Sequence, residues 1–279
     1  MLLCELPCAH TRDYHGSGMP TYPAGSPPND AEAWDDAHRP WPIPKRPWVG
    51  FMTWLDLLFA HWPIKASALR ERVPRELELD TFDGSAWIGI VPFVMSNTRP
   101  RFSPVAMTDF PELNVRTYVT HRGKSGIYFF SLDAASPLLV WGGRTFVSLQ
   151  YYNATMRSVD YARGWTRYAS RRTHAGAPPA RWVARYRPTG PAAPPKRGTL
   201  EHFLTERYCL YSVTDAGELL RCDVHHAPWP LQSAELETET DTMLKQIKLA
   251  RPDTPPLLHY ARRRDVRVWW PVRVNEGTA

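Results

Sequence analysis

The chain has 279 residues, 43% hydrophobic with twelve Trp, enough for one large domain or two small ones with a sizeable core. No apolar run reaches the ~18 residues a helix needs to span a bilayer, and "MLLCELPCAHTRD" lacks the pattern of a signal peptide, so no membrane association and a cytoplasmic location are expected. The net charge of +6 comes mainly from arginines scattered through "RERVPRE", "RSVDYARGWTRYASRR" and "ARRRDVRV". No nucleic-acid motif accompanies them, so they read as a solvated Arg-rich surface and no nucleic-acid partner is expected.

Residues 1–45, rich in Pro, Gly, Asp and His, lack periodicity and are predicted to form a disordered extension, with Trp41 or Trp48 pinning its end. Cys4, Cys8 and His10 have no second ligand cluster after them, so no metal is expected. A single domain is expected over 46–275. "FMTWLDLLFAHWPI" is apolar and reads as a strand or irregular helical entry, stopped by Pro63. "KASALRERVP" reads as a short helix with Ala66, Leu69 and Val73 on one side. "LELDTFDGSAWIGIVPFVM" reads as two strands around Asp83-Gly84, and "FPELNVRTYVTHRGKSGIYFFSLDA" as a second hairpin. "SPLLVWGGRTFVSLQ" reads as a helix with Pro137 at its first position, weakened by Gly142 and Gly143 by about 1 kcal/mol each. Asp133 is assigned to cap it.

"YYNATMRSVD", "GWTRYASRR" and "ARWVARYRP" follow as strands, then "TGPAAPPKRGT" as a loop. "LEHFLTERYCLYSV" passes from a helical turn into a strand, and "DAGELLRCDVHHAPWPL" is a hairpin turning at Gly217. "DTMLKQIKLA" is a short helix and "DVRVWWPVRV" a last strand. Strands outnumber helices and no βαβ alternation is present. The fold class is therefore mainly β with a few short helices, a curved antiparallel sheet closed or nearly closed into a barrel.

One strand carries the candidate chemistry. In "FPELNVRTYV", Glu112, Asn114, Arg116 and Tyr118 share one parity, and Leu113, Val115, Thr117 and Val119 the other. The polar parity faces either water, as in most antiparallel sheets, or a pocket. In a pocket, Glu112 would serve as acid or base, and Arg116 would hold a carboxylate through paired hydrogen bonds. His61, in "AHWPI", is either an acid–base group at a barrel mouth or a structural histidine. In "TERYCLY", an ion pair made by Glu206 or by Arg207 reads as structural, with Arg207 kept as a ligand candidate. Cys209 and Cys222 read as buried thiols. Hydrolase, phosphate-loop and dinucleotide fingerprints are absent.

In order, "HWPI", "LELDTFDGSAWIGIVPFVM", "PELNVRTYV", "GIYFFSLDAAS", "FLTERYCLY" and "HAPWPL" resemble the YqjF-like family, an uncharacterised group in the acetoacetate decarboxylase-like superfamily. The resemblance runs from about Trp48 to about Val274. It implies one cone-like antiparallel barrel holding a small-molecule pocket. The decarboxylase relatives carry a Lys-Lys pair, one lysine forming a Schiff base beside a cationic neighbour. The matching place here, in "GRTFVSLQYYNATM", holds Tyr151 and Tyr152, and the nearest lysines, Lys124 and Lys196, lie in a turn and a Pro-rich loop. The resemblance also makes Glu112 the counterpart of a pocket glutamate and His226 the family-matching histidine.

The expected function is binding of a small carboxylate- or carbonyl-bearing molecule, with lyase-type acid–base chemistry that uses no Schiff-base lysine and no cofactor. Glu112 and Tyr151 are the catalytic candidates, with Arg116, Asn114, His61, Tyr152, Arg207 and His226 as ligand-binding candidates. Two other readings stay open: a non-catalytic ligand-binding or sensor module, and an interaction protein using an Arg-rich face. The oligomeric state is left open.

Overall fold

The computed structural model describes residues 35–274. Residues 1–34 of the expected extension, with Cys4, Cys8 and His10, lie outside the described residues. From Asp35 the chain lies against the body. Arg39 is buried and donates from Nη1 to the Val224 carbonyl (2.7 Å), and the His38 Nε2 is 2.9 Å from the His226 carbonyl oxygen.

Strands β1 (Gly50–Ile64), β3 (Ala86–Pro100), β4 (Phe110–His121) and β5 (Lys124–Ala134) form one antiparallel wall in the order β1-β3-β4-β5. The β4–β5 turn takes Arg122 and Gly123 at φ 51° and 74°, the mirror-image turn that suits a two-residue hairpin. Asp83 and Gly84 (φ 48° and 76°) make a similar turn, closed by the Phe82–Ser85 bridge. The expected hairpin partner differs, however. The short β2 (Glu78–Leu79) pairs with β4, Glu78 opposite Thr120, and not with β3. Helix α1 (Ala66–Arg70) buries Leu69 between β1 and β2 in the chain.

Helix α2 (Pro137–Val147) is capped by Ser136, whose Oγ accepts from the Leu139 amide (3.3 Å). That corrects the assignment of the cap to Asp133. Beyond it, β6 (Tyr151–Tyr161), β7 (Trp165–Arg172) and β8 (Arg181–Pro188) form a meander that continues into β11 (Gln232–Asp241) and then β12 (Leu257–Val268), which pairs with β1. Since β5 also pairs with β6, nine strands close on themselves: β5-β6-β7-β8-β11-β12-β1-β3-β4. The mainly β barrel thus stands, with two parallel ladders, β5–β6 and β5–β9, in an otherwise antiparallel sheet. After α3 (Leu200–Thr205), the hairpin β9 (Cys209–Val213) and β10 (Leu219–His225) joins β5 to β12 and closes a second, seven-strand ring over the shared wall. A 3₁₀ turn (Met243–Ile247) and β13 (Val272–Arg273) complete the order.

Strand β11 was not expected. Its residues alternate exposed and half-buried, and its glutamates match arginines of β7 and β8: Glu235 with Arg187 (2.7 Å), Glu237 with Arg185 (2.6 Å) and Glu239 with Arg167 (3.2 Å).

The shared wall is covered on both faces, so β3 and β4 are buried almost throughout. On one face, Leu58, Ile90, Leu113 and Val115 pack with Tyr168, Trp182 and Tyr186. Tyr168, from β7, donates to the carbonyls of Glu112 (2.7 Å) and Phe93 (3.2 Å), so this core fills the nine-strand ring. On the other face, Phe59, Phe93, Leu132, Val140, Tyr151 and Trp229 form a second core inside the smaller ring.

Candidate functional site

The polar parity of β4 faces this second core. Glu112, Asn114 and Arg116 are buried, and Tyr118 and the β1 residue His61 are fully so. The arrangement with this face in water does not occur. A strand covered on both sides puts every side chain into protein, whatever its parity.

At one end, Tyr151 donates from its hydroxyl to Glu112 Oε2 (3.1 Å). Burial pushes the Glu112 carboxyl up to about 8, and the nearby Asp133 adds to this, while the Tyr151 hydrogen bond holds it down. Tyr151 itself is raised by burial and by Glu112, so its phenol is neutral. The end of the row is therefore a protonated acid beside a phenol at pH 7. The ring of Tyr151 lies on Gly143 of α2, where an added Cβ would meet ring carbons at 2.4 and 2.6 Å. The glycine read as a weakness of the helix is what lets the phenol reach Glu112. Gly143→Ala should therefore destabilise the protein by about 1–3 kcal/mol, the usual range for overpacking, despite Ala's higher helix propensity. It should also raise the Glu112 pKa further by removing the phenol. Thermal melting and a pH titration of the variant check both.

At the other end, the cross-strand register sets His61, Gly89 and Arg116 side by side on β1, β3 and β4. A Cβ on Gly89 would stand 2.7 Å from His61 Cδ2 and 3.5 Å from Arg116 Cγ, so the missing side chain gives both neighbours their room. His61 Nε2 lies 2.6 Å from the Tyr118 hydroxyl, which donates to the Leu204 carbonyl (2.8 Å). Burial, and then Arg116, drive the His61 pKa well below its ordinary value, so the imidazole is neutral. Arg116 donates from Nη2 to the Leu204 carbonyl (3.2 Å) and to Tyr118 Oη (3.4 Å), with its guanidinium 5.3 Å from the Phe59 ring centre. Among the described residues no carboxylate pairs with it. Its Nε, the Asn114 Oδ1 between the two ends and the His61 Nδ1 are buried without hydrogen-bond partners.

The remaining candidates lie elsewhere. Tyr152 points away from Tyr151 to the opposite face, 4.0 Å from the Arg172 guanidinium. There Arg172 holds Asp133 through two bonds (2.6 and 2.9 Å) and also reaches the Gln246 side chain (2.6 Å). Burial outweighs this arginine and lifts Asp133 to about 6. Arg207 is a structural cation: it pairs with Asp80 (2.6 Å), binds the Phe203 carbonyl and lies over the Phe203 ring (4.3 Å). The structural ion pair expected of Glu206 or Arg207 is thus made by Arg207. Glu206 instead accepts from the Tyr208 hydroxyl and from the Trp229 amide (2.9 Å). His226 stacks on Tyr208 (4.7 Å), with its ring nitrogens against the carbonyls of Ala227 (2.8 Å) and Arg207 (3.3 Å). Burial takes its pKa down to about 3.

Three residues of the site carried no assigned role in the sequence: Gly89, Gly143 and Tyr118. Only Tyr118 was legible, as the last member of the polar parity. Among the described residues no cluster of His, Cys, Asp or Glu could hold a metal ion, and no helix is long and apolar enough to cross a membrane.

Comparison with known proteins agrees with this architecture. The model of a family described as an uncharacterized conserved protein, DUF2071, matches residues 51–265. The chain is 45% identical over 233 residues to the uncharacterized protein YqjF of Bacillus subtilis (strain 168), covering 83% of this chain and 94% of that one. Among solved structures, the enduracididine biosynthesis enzyme MppR complexed with pyruvate superposes with a TM-score of 0.59 at 11% identity, covering 87% of this chain and 96% of that one. Acetoacetate decarboxylase from Legionella pneumophila superposes with a TM-score of 0.56 at 11% identity, over 88% and 96%. Those likenesses establish an acetoacetate decarboxylase-like fold.

Proposed function

The chain belongs to the DUF2071 family of uncharacterised conserved proteins, and from that footing we propose that it binds a small carboxylate- or carbonyl-bearing molecule along the polar row of β4. The observation that carries this reading is Arg116, a buried guanidinium with no carboxylate partner among the described residues. A buried charge is costly unless an opposite charge and hydrogen bonds compensate it, and a ligand carboxylate supplies both. Glu112 and Asn114 follow on the same face; Glu112 and Arg116 are separated by about 13 Å of extended backbone. Glu112, protonated near neutral pH, donates a hydrogen bond or a proton to a carbonyl or enolate oxygen, with Tyr151 beside it. His61 accepts or relays from the Arg116 end. Pyruvate bound by the similarly folded MppR is a ligand of this chemical kind.

The chemistry proceeds without a Schiff base, because none of the chain's lysines is buried. Borohydride should trap no lysine adduct with any ligand. Pairing of the β7 and β8 arginines with β11 glutamates takes support from the reading of an Arg-rich interaction face. The proposal places the protein in the cytoplasm, a compartment that suits the buried free thiols Cys209 and Cys222.

The test is a thermal-shift screen of small 2-oxo and 3-oxo acids, followed by two variants. Arg116→Gln should abolish the ligand-induced rise in melting temperature. Glu112→Gln should keep it and stop turnover. An unchanged ligand response in Arg116→Gln would refute the anion site. A ligand that binds through Arg116 but is never turned over would leave the non-catalytic sensor as the function.

A further inference from the structure

The outer face of β7 and β8 contains an internal control. Arg167 stands directly opposite Arg185, and Arg171 directly opposite Arg181, all four on the outward parity. Like charges directly opposite on neighbouring strands repel. At the first pair the repulsion is removed, since Glu239 binds Arg167 and Glu237 binds Arg185. At the second pair it is not: neither guanidinium has a hydrogen-bond or ion-pair partner among the described residues. The last carboxylate of the complementary strand, Asp241, stands opposite Trp182, accepts from the Met243 amide (3.0 Å) and lies 3.9 Å from the Arg251 guanidinium.

Arg171 and Arg181 form one wall of a groove of about 1000 Å³. Its other walls are mainly apolar, with Met107, Phe110 and Leu138 among them, and also carry Thr155 and a third arginine, Arg157. The one carboxylate on the lining, Asp109, is engaged by the Ser96 side chain and the Asn97 backbone. Glu112, Arg116 and His61 take no part in the lining, so the groove is separate from the row described above.

We propose that this groove is a second ligand site, for an amphipathic carboxylate whose head group bridges Arg171 and Arg181 and whose hydrocarbon body covers Met107, Phe110 and Leu138. Two forked guanidiniums facing each other across a ladder match a two-oxygen anion. The apolar walls reward the removal of a chain from water. The site is exposed at its charged end, so binding weakens as salt rises.

Decanoate and decanol, titrated by calorimetry below their aggregation limits, test the proposal. Decanoate should bind more tightly than decanol by about tenfold or more, the scale of one 1.4 kcal/mol step in affinity. The double variant R171Q/R181Q should remove that preference and leave decanol binding as it was. R185Q, at the neutralised pair, should leave it intact, and so should R116Q, which separates this site from the row inside the smaller ring. Absence of decanoate binding, equal binding of decanoate and decanol, or a preference that survives R171Q/R181Q would each overturn the proposal.

Discussion

Glu112→Gln should make the protein more stable at pH 7 and flatten the fall in its melting temperature between pH 4.5 and about pH 8. In the folded chain the carboxyl titrates at about 8, against 4.5 when free. A group with a raised folded-state pKa contributes stability that is complete below the unfolded value and is lost as pH rises through the folded one. The wild-type protein should therefore lose stability steadily above pH 4.5, with the loss complete above about pH 8. At pH 7 the folded state keeps a proton that the unfolded chain has released, a cost of roughly 3 kcal/mol at 1.36 kcal/mol per pH unit. Glutamine keeps the shape and an acceptor for Tyr151 but has nothing to titrate. Melting curves across this range decide it, and parallel pH slopes in the two proteins would show that Glu112 is not the group responsible.

Replacement of Arg172 by Met should have the opposite sign and a comparable size. Arg172 and Asp133 are almost wholly buried, with side-chain exposures of 1% and 0%. Removing the cation strands a carboxylate in the core, which typically costs about 3–5 kcal/mol. The stacking of Tyr152 over the guanidinium and the bond to Gln246 are lost with it. Adding Asp133→Asn to Arg172→Met should recover a large part of the loss, since the second change removes the stranded charge. Urea denaturation of the two variants gives the comparison. Equal destabilisation in both would mean that packing, not charge, holds this part of the barrel.

What the sequence revealed, and what it hid, follows from the range of the interactions involved. The β4–β5 hairpin was legible because Arg122-Gly123 is a local signal between two alternating runs. Strand β11 was not, because its inward parity holds only Ala234 and Leu236 before Thr238 and Thr240, an apolar face too short to mark it. It is set by its ladders with β8 and β12, and arginines of β7 and β8 stand beside its glutamates. The parallel ladders of β5 have no local signal at all. In the candidate site the residue types of Glu112, Asn114 and Arg116 were plain, while their direction was not. Alternation alone is the same for a strand that faces water and one sandwiched between two cores. Gly142-Gly143 lowers helix propensity, and only the ring of Tyr151 explains why the second glycine is there. The surroundings of Arg207 and His226 were hidden because Asp80, beside Arg207, and the Arg207 carbonyl, beside His226, are reached only through tertiary contacts.

The closure of the barrel by β1 and β12 sets the order in which the protein can be made. Gly50 pairs with Val268 at one end of that ladder and His61 with Leu257 at the other, so the first long strand waits for the last. Bringing such distant segments together carries a loop-closure penalty and slows folding relative to the local hairpins β3–β4–β5. During synthesis β1, with Leu57, Leu58 and Phe59 along it, leaves the ribosome some two hundred residues before its partner. It must pair first with β3 on one edge and keep the other edge open until β12 has been made. The nascent chain is thus most exposed to misassociation through β1, although that strand is among the best buried in the finished barrel.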